Sequence, residues 1–319
     1  MRLFENGKPM KIKIYIDGYN LYYGVLKNHP FKWLDPIQLV KNCCKIAAPE
    51  HIYQRLNGEY SAKYFTSKVL PKATFSKTAE KDQNAYHAAL QSIYDDQQLE
   101  IVFGYHSINP VEQREFDPLS PKTPHIGCKK VCVWRIEEKQ TDVNIAVQAL
   151  KDAYEDPTEQ LQIFVSNDTD LCPLLGALAR MTHVKVGVIP PVNGITKFPA
   201  SDLVKLADWS IHAVTERYLR DAQLPLSIAS SVRSGMNGRI RKPLDWYGQP
   251  ELANEIFSIL YNSLRTRNKT FRWLEQAPFE ANIPGLPNLP RPAIEMFDTV
   301  EDAALVKQHV IEYIKHCQP

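Results

Sequence analysis

Short runs of β-branched and aromatic residues alternate, over the first two thirds of the chain, with longer stretches whose apolar positions recur at helical spacing. Residues 12–17, Ile-Lys-Ile-Tyr-Ile-Asp, read as a buried strand that ends on a carboxylate, and Gly18 follows where the chain must turn sharply. Helix-like sequence continues through Val25, and Asp35-Pro36 opens a second helix carrying Ile37, Leu39, Val40 and Ile46. Tyr60 to Val69 alternates as a strand does. Lys81 to Gln97 sets Tyr86, Ala89, Leu90 and Ile93 on one helical face and leads into a strand over Glu100 to Ser107. Thr141, a candidate N-cap, starts a helix with Val143, Ala146, Val147 and Leu150 on one side. The runs Leu161 to Val165 and Val184 to Ile189 flank a helix that begins near Asp170, and Leu203 to Val214 adds a last helix and a short edge strand. This alternation predicts an α/β fold, a Rossmann-like parallel sheet flanked by helices.

Two regions break the pattern. Ser107 to Lys139 carries Pro110, Pro118, Pro121 and Pro124 and ends in the strand-like Lys130 to Ile136, which suits a hairpin or lid inserted near 107–139. After residue 216 the composition shifts: residues 231–242 contain no acid but hold Arg233, Arg239, Arg241 and Lys242. A helix-like block from Glu251 to Leu264 follows, then Arg265, Arg267, Lys269 and Arg272 interleave with Phe271 and Trp273. Prolines 278, 284, 287, 290 and 292 form a linker-like stretch before an amphipathic segment near Val300 to Ile314. The expected division is therefore a domain over 11–215 and a smaller, mainly helical C-terminal region over 216–319, with no internal repeat.

Composition narrows the class. A chain of 319 residues with 44% hydrophobic and 23% charged residues is that of a soluble globular protein. Lys and Arg number 38 against 36 Asp and Glu, so any basic surface must be local. No apolar leader and no window near the roughly 18 residues of a membrane helix is present, and a cytoplasmic protein with no membrane partner is expected. Cysteines 43, 44, 128, 132, 172 and 317 show neither disulfide density nor zinc-ribbon spacing. His125, Cys128 and Cys132 lack a fourth ligand at a standard zinc spacing.

Four aspartates carry the chemistry: Asp17, Asp142 in Lys-Gln-Thr-Asp-Val-Asn, and Asp168 and Asp170 in Val-Ser-Asn-Asp-Thr-Asp-Leu. In an open parallel sheet the ligand site lies beyond the carboxyl ends of the strands, where Asp17 and Asp168 fall. Converging carboxylates repel one another and are tolerated when a divalent cation neutralises them, and such sites handle phosphate oxygens. Singly, each has a plainer reading: a turn residue at Asp17, a first-turn charge at Asp142, loop and cap residues at Asp168 and Asp170. Ser166 and Asn167 fit either phosphate contact or turn satisfaction, Asn20 either orientation of Asp17 or capping, and Lys139 either a phosphate contact or a solvated cation. Asp208 belongs to the opposite edge and to structure. The basic stretches at 231–242 and 265–273 fit a groove tracking phosphates, with Phe271 and Trp273 stacking on bases, or else a solvated face with core aromatics. No Gly-x-Ser-x-Gly or similar signature points to covalent catalysis.

Asp-Gly-Tyr-Asn after the first strand, Lys-x-x-Asp at 139–142 and Ser-Asn-Asp-x-Asp at 166–170 together resemble the NYN domain, a relative of PIN-domain ribonucleases, over about residues 11–215. The resemblance implies a PIN-like sheet with a metal-dependent nuclease centre, in which Asp17, Asp142 and Asp168 are metal ligands, Asp170 is a ligand or its neighbour, and Asn20 is the first motif's asparagine. Arg241-Lys242-Pro243-Leu244-Asp245-Trp246 is similar to a Lys-Pro-x-x-Trp sequence found downstream of some members. The expected function is thus a phosphodiesterase using Mg²⁺ or Mn²⁺, an endoribonuclease on single-stranded or structured RNA. Its catalytic set is Asp17, Asp142, Asp168 and Asp170, and its substrate contacts are Asn20, Lys139, Ser166, Asn167, Arg239, Arg241 and Lys242. The C-terminal region then positions substrate or mediates self-association into a homo-oligomer. Two other classes stay open: a nucleic-acid-binding or regulatory protein whose acidic site does not turn over, and an enzyme acting on a small molecule. A pocket walled by Tyr105, His106 and Trp134, too narrow for a polynucleotide, favours the last.

Overall fold

The computed structural model describes residues 10–48, 50–71, 74, 76–119, 127–276 and 288–317. Its strands are β1 (Lys11–Asp17), β2 (Tyr60–Thr66), β3 (Leu99–Phe103), β4 (Tyr105–Arg114), β5 (Lys130–Lys139), β6 (Gln160–Val165), β7 (Val184–Val188), β8 (Trp209–Ser210), β9 (Ser227–Ala229) and β10 (Arg239–Arg241). The helices are α1 (Gly18–Leu21), α2 (Pro36–Ala47), α3 (Glu50–Leu56), α4 (Ala79–Ile93), α5 (Thr141–Glu155), α6 (Cys172–Leu178), α7 (Ser201–Leu206), α8 (Glu216–Arg220), α9 (Pro250–Leu264), α10 (Arg267–Gln276) and α11 (Val300–Cys317).

Six strands form one sheet in the order β3-β2-β1-β6-β7-β8, every pair parallel. Helices cover both faces, which is why the central strands read as nearly unbroken apolar runs. In β1 the two-residue period sorts the side chains: Ile12, Ile14 and Ile16 enter one core with Trp33, Leu90 and Ile163. Tyr15 enters the other with Phe65, Phe164 and Ile145. The chain steps outward from β1 to β3, then returns to β6 on the other side of β1 and steps outward again. The winding reverses between β1 and β6, so a crevice opens where their carboxyl ends diverge, and Asp17 and Ser166 both reach it.

The insertion is a ten-by-ten antiparallel ribbon, paired from Tyr105 with Lys139 to Arg114 with Lys130. The single strand expected over Glu100 to Ser107 is instead two, broken at Gly104. The Gly104 amide still bonds the Thr66 carbonyl at 2.8 Å. A Cβ there would lie 2.5 Å from the Lys139 carbonyl oxygen, so the ribbon can leave the sheet only at a residue without a side chain.

Two helix starts and the course of one helix also differ from expectation. Gln140, not Thr141, is the N-cap of α5, with φ +77° and no side-chain bond. The ribbon needs a left-handed turn at Gln140 to feed the helix, which carries Thr141 into the first turn, where its buried hydroxyl has no partner. The helix after β6 starts in two steps, a 3₁₀ turn over Thr169–Leu171 capped by Asp168 and then α6. After β1 the helix changes at Tyr22 into a π turn over Tyr22–Leu26.

Leu219, Leu224, Ile228 and Ile240 pack into the core of the sheet. A separate core begins at Tyr247 and holds Ile256, Leu260, Phe271, Trp273, Phe297 and Val306. Hydrophobic membership thus changes hands between Ile240 and Tyr247, later than the composition shift near 216 suggests. Phe271 and Trp273 are 2% and 4% exposed, so of the two readings open from the sequence they are core aromatics and not a surface for stacking on bases. Among the described residues no helix is long and apolar enough to cross a membrane. His125, Pro121, Pro124 and the prolines at 278, 284 and 287 lie outside the described residues.

Candidate functional site

Asp17 is the last residue of β1 and is 3% exposed. Its Oδ1 accepts the Asn20 amide at 2.8 Å, closing the turn into α1, and its Oδ2 accepts the Ser166 hydroxyl at 3.0 Å. Ser166 in turn accepts the Asp168 amide at 3.1 Å, and Asp168 accepts the Asp170 amide at 3.0 Å. Asn20 Oδ1 accepts the Asn167 amide at 2.9 Å, so the loops after β1 and β6 are tied twice. Asn167 also reaches away from the acids: its amide group donates to the Phe198 carbonyl at 3.2 Å and its oxygen accepts the Ala200 amide at 2.7 Å. Four residues expected from the sequence, Asn20, Ser166, Asn167 and Asp168, therefore build the frame around the fifth, Asp17.

The electrostatics identify who faces whom. Burial pushes the Asp17 carboxyl up to about 7; the Asn20 amide and Ser166 hydroxyl act against this, and Asp142 and Asp168 add to it. Asp142, in the first turn of α5, is raised by burial and by Asp168 and Asp170. Among the described residues, no lysine or arginine stands among the causes acting on either group. Lys139, the cation next to this cluster in sequence, is paired with Glu137 at 2.6 Å.

Glu138 is a further acid that the sequence reading passed over. It sits at the end of β5, accepts the Ser67 hydroxyl at 3.0 Å, and is raised by burial and by Asp142. Its signal was the register of the ribbon: strand alternation puts Glu138 and Lys139 on opposite sides, and only pairing with β4 reveals which side meets the acids.

The donors are all carboxylate oxygens, the set that hard cations such as Mg²⁺ and Mn²⁺ take, and their mutual repulsion fits a bound countercharge. Among the described residues, however, no three His, Cys, Asp or Glu side chains stand close enough to share one ion. The acids form a ring around the crevice wider than a coordination sphere.

The basic residues expected to touch substrate are placed elsewhere. Arg241 binds Glu275 through Nε at 2.6 Å and lies over the Phe271 ring at 4.5 Å. Lys242 is 5% exposed, donates to the Pro30 carbonyl at 3.1 Å and lies over Tyr247. Both are internal ties between the sheet domain and the C-terminal core. Arg239 is exposed and donates to the Ser227 hydroxyl at 2.6 Å. Asp208 accepts the Val186 amide at 2.9 Å beside Lys185, the structural place expected of it.

A cavity of about 620 Å³ opens beside the acidic ring, and Gly18, which follows Asp17, lines it together with Thr66, Lys32, Asp82 and Asp245. Tyr19, Tyr22, Tyr64, His87, His106 and Trp246 wall it. Tyr105 and Trp134, which the sequence suggested as walls, are 52% and 70% exposed on the ribbon and do not line it.

The NYN domain model matches residues 11–213. The chain is 33% identical over 322 residues to 6-hydroxy-3-succinoylpyridine 3-monooxygenase HspA of Pseudomonas putida, covering 97% of this chain and 96% of that protein. A crystal structure of a protein of unknown function from Vibrio parahaemolyticus RIMD 2210633 aligns with a TM-score of 0.38 at 18% identity, over 70% of this chain and 100% of that one. With the switch-point acids, the parallel sheet and a match spanning it, the chain belongs to the NYN domain family.

Proposed function

We propose that this protein is a metal-dependent phosphodiesterase, an endoribonuclease that hydrolyses single-stranded or structured RNA in the cytoplasm. Asp17, Asp142 and Asp168, set wider apart in this structure than one coordination sphere, would have to draw together to hold Mg²⁺ or Mn²⁺, with Asp170 completing the catalytic set. The observation that carries this reading is the ring of acids at the switch point of the sheet, in which the charges raising Asp17 and Asp142 are other carboxylates and, among the described residues, no lysine or arginine stands among the causes acting on them. Bound there, a divalent ion would relieve charge on a phosphodiester and make an attacking water more acidic.

The chain's own residues have separate tasks. The Asn20 amide and the Ser166 hydroxyl fix the Asp17 carboxylate, leaving its remaining lone pairs toward the crevice. Asn20 and Asn167 hold the two loops at constant separation. Lys139, 43% exposed in its side chain and paired with Glu137, would exchange that partner for a phosphate, and Arg239 would offer an outer one. Arg241 and Lys242 are left out of the substrate surface because their groups are spent on internal contacts. Incubating the purified chain with mixed RNA, with and without Mg²⁺ or Mn²⁺, tests the reading. Cleavage should require the metal and be lost in Asp17→Asn and Asp168→Asn. Folded variants that cut at the wild-type rate, or no cleavage with any metal, would overturn it.

A second reading is favoured by the near full-length relative named as a monooxygenase of a hydroxylated pyridine, together with the aromatic cavity. Here the chain would monooxygenate a small heteroaromatic compound, one oxygen atom of O₂ inserting into a bond at a ring carbon and the other leaving as water with two electrons and two protons from a reductant. Oxygen uptake dependent on 6-hydroxy-3-succinoylpyridine and a two-electron reductant supports it; uptake indifferent to the pyridine removes it.

A further inference from the structure

The cavity beside the acidic ring has a composition that its position alone does not require. A space of about 620 Å³ is of the size that encloses a small ligand. Its walls are rich in rings, Tyr86 and Trp246 among them, beside the aliphatic Leu26, Val69, Leu70 and Ile136. Tyr19 donates to or accepts from His106 Nε2 at 2.9 Å and stands 6.0 Å, ring to ring, from Tyr23, which meets Tyr22 edge-on at 5.1 Å. Tyr64 meets His87 edge-on at 6.4 Å. Tyr22 and Tyr23 remain 37% and 51% exposed at the mouth, aromatic surface that a monomeric fold gains nothing by leaving in water.

One part of the lining is polar: Lys32 with Asp82 and Asp245. Lys32 makes no hydrogen bond or ion pair among the described residues, although Asp245 and Asp82 face it, and burial lowers its pKa against their pull. Asp245 is already engaged, accepting from Thr78 and from the Asn254 amide group at 2.7 Å. Half-buried, Lys32 is thus a donor held in reserve in the lining of an aromatic channel. Gly18, also in the lining, follows Asp17 directly, and a Cβ there would lie 2.8 Å from both the Phe65 carbonyl oxygen and the Tyr64 ring, so the channel meets the acidic turn at a residue with no side chain.

We propose that this channel is a binding site for a planar heteroaromatic ring bearing an acceptor oxygen, the ring lying among Tyr19, Tyr22, Tyr64 and His87 and the oxygen accepting from Lys32. Two sources share that chemistry. One is a base unstacked from single-stranded RNA, whose phosphate then falls at Gly18 beside Asp17; this arm rests on the phosphodiesterase reading. The other is a free heteroaromatic compound. Stacking on tyrosine suits either, since every such ring has a π face.

The test is calorimetric titration of the full-length chain, without divalent metal, with uridine 5′-monophosphate, with 2-pyridone, and with ribose 5-phosphate as the ringless control. Either ring probe should bind, and ribose 5-phosphate at least tenfold more weakly or not at all. Tyr22→Ala at the mouth, Lys32→Met in the polar part of the lining and Ala79→Trp, which fills the channel from the start of α4, should each weaken ring binding at least tenfold. Tighter binding of the nucleotide assigns the base, and tighter binding of 2-pyridone assigns the free compound. Equal binding of ribose 5-phosphate, no ring binding, or ring binding that survives both Tyr22→Ala and Ala79→Trp would overturn the proposal. Ring binding that persists in a protein with no RNA cleavage would leave the channel assigned and sink the phosphodiesterase reading alone.

Discussion

Ser166, one residue beyond β6, donates its hydroxyl to Asp17 at the end of β1 across 3.0 Å, joining the two strands at which the winding of the sheet reverses. With the Asn20 amide on the other oxygen, both carboxylate oxygens of Asp17 are oriented by one donor each. These bonds favour the ionised form, yet burial and the neighbouring acids outweigh them and the group titrates near 7.

That balance has a sign. The carboxyl of Asp17 in the folded chain titrates above the ordinary carboxylate range, so the folded state binds its proton more tightly than the unfolded chain does. Its contribution is fully present below the unfolded value near 4 and is lost as pH rises through about 7. Asp17→Asn removes the penalty at high pH. Without divalent metal, the variant should melt above the wild type at pH 8.5 by on the order of 2–4 kcal/mol of stability, and gain little at pH 4. The same variant should lose the stabilisation that millimolar Mg²⁺ or Mn²⁺ gives the wild type. Paired melting curves at the two pH values decide it, and a difference independent of pH would contradict the assigned environment.

The acids that could be found by reading the chain were those at the ends of strong periodic runs. Asp17 closes a strand carrying Ile12, Ile14, Tyr15 and Ile16, and Asp168 follows one carrying Leu161, Ile163, Phe164 and Val165, so the rule that sites gather at the carboxyl ends of parallel strands reaches both. Glu138 escaped because its position depends on the ribbon's pairing, and the break at Gly104 that starts the ribbon is a demand of close approach rather than of local pattern. The same limit explains the basic stretch. Arg241 and Lys242 look like a phosphate surface in one dimension, and become a buried tie only when Glu275, Phe271 and Pro30 are brought up from distant parts of the chain. The aromatic channel combines Tyr19, Tyr64, His87 and Trp246 from four separated segments, each of which reads singly as core.

His87 supplies an opposite titration. It is 6% exposed beside Tyr64 and Phe103, and burial, helped by Lys68, lowers its pKa to about 4. The neutral ring is preferred in the fold, so its contribution is complete above the ordinary histidine value and is lost as pH falls from about 6.5 through 4. At most about 3 kcal/mol is at stake. Urea midpoints measured at pH 7.5 and 4.5 should fall less between the two in His87→Phe than in the wild type; equal falls would show that His87 carries no such charge penalty.

Gly24 sits in the π turn behind the tyrosines, and a Cβ there would stand 2.1 Å from the carbonyl oxygen of Pro191. Backbone meets backbone at that point, so Gly24→Ala cannot be relieved by a rotamer change. It should cost about 1–3 kcal/mol and shift the turn that carries Tyr22 and Tyr23. A lowered melting temperature with altered tyrosine fluorescence is expected; an unchanged melt would mean the loop at Pro191 yields freely.

Arg241 offers the cleanest separation of structure from substrate contact. Its guanidinium meets Glu275 through two nitrogens, at 2.6 and 3.4 Å, with side-chain exposures of 16% and 21%. Arg241→Met leaves the Glu275 charge half-desolvated and should cost about 2–3 kcal/mol. Glu275→Gln should cost less, since an amide oxygen still accepts, and the double mutant should recover part of the loss, giving a coupling of about 1–2 kcal/mol. RNA affinity reads the alternative. A phosphate contact at Arg241 would reduce the slope of log affinity against log salt by about 1 when the residue is replaced. With the guanidinium held by Glu275 and Phe271, that slope should not change between Arg241→Met and the wild type while stability falls. A reduced slope at full stability would return the arginine to the substrate surface and make the ion pair with Glu275 an incidental one.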